Sequence, residues 1–216
     1  MGESWNMRLM EMGLERLTKM VLEMATLSEA TVTKALEAYS KGNDVRDEIF
    51  AKSEQLEVLQ DEVNDLATEM IARYQPVASD LRFITSSMEI AYGFSRLGRY
   101  AYDITDILSF YKDLSACDKS DVERAGNQAE DMIHLSIKAF TERDVFTAGK
   151  LKTMDNVVDE IYRTYLRKVT KENPNDMKCY ISGTLVLRYL ERIADHAEDV
   201  GEAVAYTVTG KRAPRK

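Results

Sequence analysis

Residues 191–201 read ERIADHAEDVG, and the helix that they predict sets the pattern for the rest of the chain. Apolar side chains in and just after this stretch recur at steps of three and four, which is the spacing of an amphipathic helix. Three carboxylates recur at steps of four beside the apolar stripe: Glu191, Asp195 and Asp199. The apolar positions are Ile193, Ala194, Ala197, Val200, Ala203 and Val204.

The carboxylate row needs a compensating cation. Like charges four residues apart on a helix repel each other by about 0.2–0.5 kcal/mol per pair. An arginine, a solvent counterion or a bound metal would each relieve this repulsion. The alternative interpretation is a solvated acidic face, since 31% of the residues in the chain are charged.

Composition favours an all-helical protein. The chain has 216 residues, of which 44% are hydrophobic, so it can bury one sizeable core or two small ones. Only three prolines and ten glycines are available to interrupt helices. The apolar periodicity predicts six helices, at about residues 7–41, 44–74, 79–114, 121–143, 145–171 and 176–209, with Gly42-Asn43, Pro76 and Pro174 as stops.

Charge, hydropathy and cysteine spacing indicate the kind of environment in which the protein works. The net charge of -8 argues against a nucleic-acid surface, although residues 211–216 carry four positive charges that either contact an anionic membrane or have no role. No signal peptide precedes the first predicted helix, and no apolar run approaches the roughly 18 residues needed to span a bilayer. We expect a soluble cytoplasmic protein without membrane insertion. Cys117 and Cys179 form no C-x-x-C motif, so we expect both to be reduced and structural.

The six helices divide into two similar units. An offset of 96 residues places Asp80 on Asp176 and Arg96 on Arg192, and it also aligns Gly98 with Ala194, Asp103 with Asp199 and Asp106 with Glu202. This register, with a proline before each copy, predicts an internal duplication. The expected architecture is all-α, with two tandem antiparallel three-helix bundles at residues 1–116 and 117–216.

Two stretches resemble the PhoU family of phosphate-uptake regulators, namely QPVASDLR at residues 75–82 and ERIADHAED at residues 191–199. The resemblance extends over nearly the whole chain. It implies a cytoplasmic protein of two similar bundles, usually a homodimer, that restrains phosphate uptake. Its implied partners are the ATPase subunit of the phosphate ABC transporter and, where one exists, a sensor kinase. Some members carry multinuclear iron clusters on E/D-x-x-x-D motifs.

Carried onto this chain, the resemblance implies a metal site in the second unit. Asp155 and Asp159 on the fifth helix would face Glu191, Asp195 and Asp199 on the sixth. Such an oxygen-rich set suits iron first, with manganese or magnesium as alternatives, and suits zinc poorly. The alternative is that these acids pair with Arg188, Arg192 or a neighbouring helix. His196 lies about 100° around the helix from Asp195, so we expect it at the surface, and we expect His134 to be structural.

The first unit departs from the metal-binding pattern. Ser53 and Glu57 take the places of Asp155 and Asp159, while Ser95 and Arg99 take the places of Glu191 and Asp195, and Asp103 is kept. A guanidinium in place of a carboxylate can act as the cation itself, so we expect Arg99 to pair with Glu57 or Asp103. One metal cluster per chain, in the second unit only, is the resulting expectation.

Three classes of function remain. A regulatory protein of phosphate transport with a metal site fits the duplicated pattern, and a metal-free helical scaffold is the second class. A carboxylate-bridged di-metal oxidoreductase is the third, but neither His134 nor His196 has the glutamate three residues before it that such sites use. No glycine-rich phosphate loop or nucleophile–base arrangement stands out, so we expect no enzymatic activity.

Overall fold

The computed structural model describes residues 2–171 and 177–212, with side chains from residue 7 onward. Within these residues all regular structure is helical, as predicted, and none is strand. No helix of this part of the chain is both long and apolar enough to cross a membrane. The helices are α1 (Gly2–Lys41), α2 (Arg46–Tyr74), α3 (Ala78–Tyr111), α4 (Ser120–Glu142), α5 (Val145–Lys171) and α6 (Met177–Thr209).

The predicted stops in the first unit end the helices by two different means. Gly42 adopts φ 76°, and the amides of Gly42 and Asn43 both donate to the carbonyl of Ala38, at 2.8 and 3.1 Å. This pair of bonds closes the last turn of α1. α2 ends at Tyr74, and the next residue, Gln75, takes a left-handed conformation directly before Pro76. Pro174, the predicted stop of the fifth helix, lies outside the described residues.

α3 is shorter than predicted because burial overrides periodicity at its C-terminus. The helix ends at Tyr111 rather than near Leu114, and Lys112 has φ 58°. The turn at Lys112 leads the chain to Leu114, which is buried against the core. The helix was predicted to end near Leu114, before the polar segment at residues 115–120, but Leu114 reaches the core from the linker instead.

The two predicted bundles are present and pack through α3 and α6. α1–α3 contact one another, α4–α6 do the same, and α3 lies against α6 while α1 contacts α4. α3 and α6 are antiparallel: the Tyr100 and Tyr189 rings stack, and Lys178 Nζ donates to the carbonyl of Asp113. Gly93 allows this approach, because a Cβ there would lie 3.1 Å from Val200 Cγ2. The buried apolar side chains form one core across both bundles.

The cysteine prediction is wrong. Cys117, in the linker between α3 and α4, forms a disulfide with Cys179 in the first turn of α6. The residues are 62 apart in sequence, but their Cα atoms are 5.3 Å apart, within the range that a disulfide spans. Sequence spacing detects only local thiol pairs, whereas this pair is brought together by the packing of α6 beside the end of α3.

Candidate functional site

Four of the five predicted acidic residues lie on the facing sides of α5 and α6, and we call Asp155, Asp159, Glu191 and Asp195 the acidic pocket. The two helices are antiparallel: Leu151 packs at Gly201, and the Arg188 guanidinium lies 5.9 Å from the Tyr162 ring centre. This register sets residues 155 and 159 opposite residues 195 and 191. A Cβ at Gly201 would lie 2.5 Å from Leu151 Cδ1, so the glycine permits the close approach of the helices.

The pocket is largely shielded from solvent. Asp155 is 1% exposed, and the side chains of Asp159 and Glu191 are mostly covered. Glu191 Oε2 is buried and accepts no hydrogen bond from the described residues. Ionised carboxylates in such a position need a compensating positive charge.

Two arginines supply part of that charge. Arg163 Nη2 lies 2.7 Å from Asp159 Oδ2, one turn away on α5. Arg188 Nη1 lies 2.5 Å from Glu191 Oε1. The alternative interpretation of the sequence, in which these acids pair with Arg188, therefore holds for Glu191.

The neighbouring carboxylates affect the titration of Glu191. Burial raises its pKa above the ordinary value, and the negative charge of Asp195 raises it further. Arg188 and Arg192 lower the pKa of Glu191, while Asp159 adds to the increase. A proton or a bound cation would therefore stabilise this side of the pocket.

Asp199 lies apart from the acidic pocket, contrary to the predicted row. Its side chain is 65% exposed, and Oδ2 lies 3.3 Å from His196 Nδ1. It lines a groove of about 580 Å³ between α6 and the α2–α3 pair. At about 100° per residue, a step of eight residues rotates the side chain by about 80° from Glu191, which takes Asp199 off the α5 side.

Glu198 is the acidic residue that the sequence interpretation missed. It lies three residues after Asp195 and is 5% exposed. A step of seven returns to within about 20° of the starting direction, so Glu198 lies almost in line with Glu191 along α6. The i, i+4, i+7 spacing of residues 191, 195 and 198 was the available signal.

Both histidines lie where the sequence did not predict them. His196 is not a surface residue, because its side chain is 15% exposed. Its ring stacks on Tyr100 at 5.8 Å and meets Tyr92 edge-on at 5.8 Å, since this side of α6 packs on α3. His134, expected to be structural, is exposed, and its Nδ1 lies 3.2 Å from Glu29 Oε1 on α1.

The first unit has a charge pair in the equivalent place. Arg99 Nε lies 3.4 Å from Asp103 Oδ1, so of its two predicted partners Arg99 selects Asp103. Ser53 and Ser95 are buried there. Burial raises the pKa of Asp103, and the positive charge of Arg99 opposes that increase. The guanidinium acts as the cation that this unit requires.

The acidic pocket has the donor chemistry of a hard-metal site without its arrangement. Carboxylate oxygens are the ligands that iron(III), manganese and magnesium favour. Yet among residues 2–171 and 177–212 no three histidine, cysteine, aspartate or glutamate side chains are grouped so as to hold a metal ion. Asp159 and Glu191 are directed to guanidiniums instead. A cation would have to displace Arg163 and Arg188 from these oxygens.

Comparison with known proteins identifies relatives along the whole chain. Proteins named phosphate-specific transport system accessory protein PhoU homolog match from several bacteria. The one from Clostridium acetobutylicum is 29% identical over 214 residues, covering 95% of this chain and 96% of its own length. The one from Aquifex aeolicus is 30% identical over 203 residues, covering 92% of each chain.

Solved structures show the same fold. The crystal structure of PhoU from Pseudomonas aeruginosa has a TM-score of 0.88 with 27% identity, covering 93% of this chain and 99% of that one. The PhoU structure from Streptococcus pneumoniae has a TM-score of 0.87 at 20% identity, which demonstrates the fold alone. Residues 21–108 and 122–204 each match the PhoU domain, and the chain therefore belongs to the PhoU family.

Proposed function

We propose that this chain is a cytoplasmic regulator of phosphate uptake, which acts as a negative modulator of a phosphate ABC transporter and of any phosphate signalling coupled to it. The observation that carries the proposal is the pair of PhoU domain matches, which together cover most of both bundles. Relatives matching over at least nine-tenths of this chain are named accessory proteins of phosphate-specific transport. The proposed role is regulatory rather than enzymatic.

An exposed apolar surface supports a protein partner. Met177, Ile181 and Leu185, which we call the α6 stripe, recur at steps of four on α6 and are exposed. Phe110 on α3 is 76% exposed. It lies at the end of α3 that is nearest the start of α6, because Lys178 on α6 donates to the carbonyl of Asp113, three residues after Phe110. Exposed apolar side chains gathered in one place are typical of protein interfaces. We propose that the transporter's ATPase subunit docks here, with a sensor kinase and a second copy of the chain as further partners.

The acidic pocket supports a regulatory cation. We propose that Asp155, Asp159, Glu191 and Asp195 take one metal cluster per chain, of iron first and of manganese or magnesium otherwise. The buried carboxylates and the raised pKa of Glu191 favour cation binding. The arginine pairs favour the metal-free alternative, so elemental analysis of the purified protein separates the two.

Phosphate uptake in cells tests the regulatory role. Deleting the gene should increase uptake of radiolabelled phosphate when phosphate is plentiful, and the wild-type chain should restore restraint. A chain with Ile181→Asp and Leu185→Asp should fail to restore it and should not retain the ATPase subunit in pull-downs. Val157→Asp is the matched control, since Val157 is equally exposed on α5. Unchanged uptake after deletion would refute the proposed function.

A further inference from the structure

The disulfide joins the linker between α3 and α4 to the start of α6. Cys117 lies in the linker at residues 112–119, and Cys179 lies in the first turn of α6. Both residues are partly exposed, so a reductant in solution can reach the bond. Together they are the two cysteines of the sequence, and the folded chain has no other thiol to compete for either one.

The linker forms the end of the molecule where both bundles meet. Lys119 Nζ donates to the carbonyls of Tyr39 and Ser40, each at 2.9 Å, at the end of α1. Lys178 Nζ donates to the carbonyl of Asp113. A cavity of about 990 Å³ lies against this linker and includes Cys117 in its lining. The disulfide is the covalent tie that fixes one wall of this cavity to α6.

The chain does not need the disulfide to compensate for a small hydrophobic core. Disulfides serve as structural staples mainly in small domains that bury too little apolar surface. Here one apolar cluster runs through both bundles, and the disulfide lies at its edge, between a loop and a helix terminus. In the cytoplasm, where we proposed that this chain acts, thiols are kept reduced and disulfides persist only transiently.

We propose that Cys117 and Cys179 are a redox modification site, whose reduction by a dithiol releases the linker from α6. A thiolate of the dithiol attacks one sulfur of the bond and forms a mixed disulfide with it, while the other cysteine leaves as a thiolate and takes a proton from water. The second thiol of the reductant then displaces the first cysteine. The protein gains two electrons and two protons, and the reductant becomes a disulfide.

Reduction changes the linker more than the bundles. The oxidised linker is joined to α6 by the covalent bond at Cys117, and the buried side chain of Leu114 anchors it in the core. After reduction, the exposed hydrogen bond from Lys178 still joins α6 to the linker. Most linker residues are exposed, namely 112, 113, 115, 116 and 118. Exposed segments open more readily than packed helices, so the linker gains mobility while the helices stay packed.

Hydrogen exchange with and without dithiothreitol tests the proposal on the full purified chain. Dithiothreitol should reduce the bond without denaturant, so that a maleimide labels both cysteines. Exchange in peptides covering residues 112–120 should then become at least about tenfold faster, at short labelling times over which the amides of the packed helix α2 remain protected with and without the reductant. Reoxidation with oxidised glutathione should reverse both effects. The double variant Cys117→Ser, Cys179→Ser should show fast exchange that dithiothreitol does not alter.

Three results would overturn the proposal. The first is a bond that resists dithiothreitol until the protein is denatured. The second is reduction that leaves exchange in residues 112–120 unchanged. The third is a bond that rapid alkylation of intact cells finds fully oxidised under both reducing and oxidising growth conditions. The proposed role in phosphate uptake is tested separately, because exchange is measured on the isolated protein and does not depend on the transporter.

Discussion

Replacing Asp195 with asparagine tests whether the acidic pocket holds a cation, because stability changes in opposite directions in the two cases. Without a cation, the amide removes one like-charge pair with Glu191, which is worth about 0.2–0.5 kcal/mol of added stability. With a metal present at 100 times its Kd, binding contributes about 2.7 kcal/mol to the free energy of unfolding. Losing that contribution lowers the Tm by roughly 5–10 °C in a chain of this size.

Thermal unfolding of three preparations separates the two cases. We expect the Tm of the wild-type protein to fall after treatment with a chelator and to recover when iron or manganese is added. Asp195→Asn should have the lower Tm from the start, should respond little to the chelator and should contain less metal by elemental analysis. Asp199→Asn is the control, since that side chain is exposed and lies outside the acidic pocket, and its metal content should match the wild type.

Two outcomes would refute this reasoning. Metal-free wild-type protein, combined with an unchanged or higher Tm in Asp195→Asn, would show that Arg163 and Arg188 compensate the pocket by themselves. An equal loss of metal in Asp195→Asn and Asp199→Asn would show that the two carboxylates act together, against the rotation that separates them along α6.

Three further predictions concern titration, packing and the disulfide. Because the pKa of Glu191 is raised in the folded protein, the free energy of unfolding should fall as the pH rises from the unfolded value of 4.5 through the folded pKa. Glu191→Gln should make this fall smaller, as measured by urea unfolding from pH 4 to 7. Gly201→Val should cost about 1–3 kcal/mol in chemical denaturation, because its Cβ meets Leu151 2.5 Å away, and Leu151→Ala should recover part of that cost. Cys117→Ser should lower the free energy of unfolding in oxidising buffer by about 4 kcal/mol, since the bond to Cys179 closes a loop of 62 residues, and reduced wild-type protein should match the variant.

The sequence predicted the helices, and the facing positions of the four residues in the acidic pocket, for the same reason. A helix repeats its side-chain directions every three to four residues, so apolar periodicity in the chain translates directly into buried faces. Residues 155 and 159 could be expected opposite residues 191 and 195 because neighbouring helices joined by a short connection run antiparallel. Asp199 was misplaced by the same logic, because strict steps of four drift around the helix. Glu198, seven residues after Glu191, is the buried acidic residue in line with Glu191 instead.

What only the tertiary structure decided depends on contacts between distant parts of the chain. The amino-acid sequence alone determined the all-helical class, the duplicated bundles and the replacement of a carboxylate by Arg99, because each is a matter of local spacing and residue type. The burial of His196 between Tyr92 and Tyr100, the choice of Asp103 as the partner of Arg99 and the bond between Cys117 and Cys179 followed from how α3 and α6 pack. Helical periodicity specifies which side of a helix is buried, but the residues that meet there are set by the register between helices, which no single segment encodes.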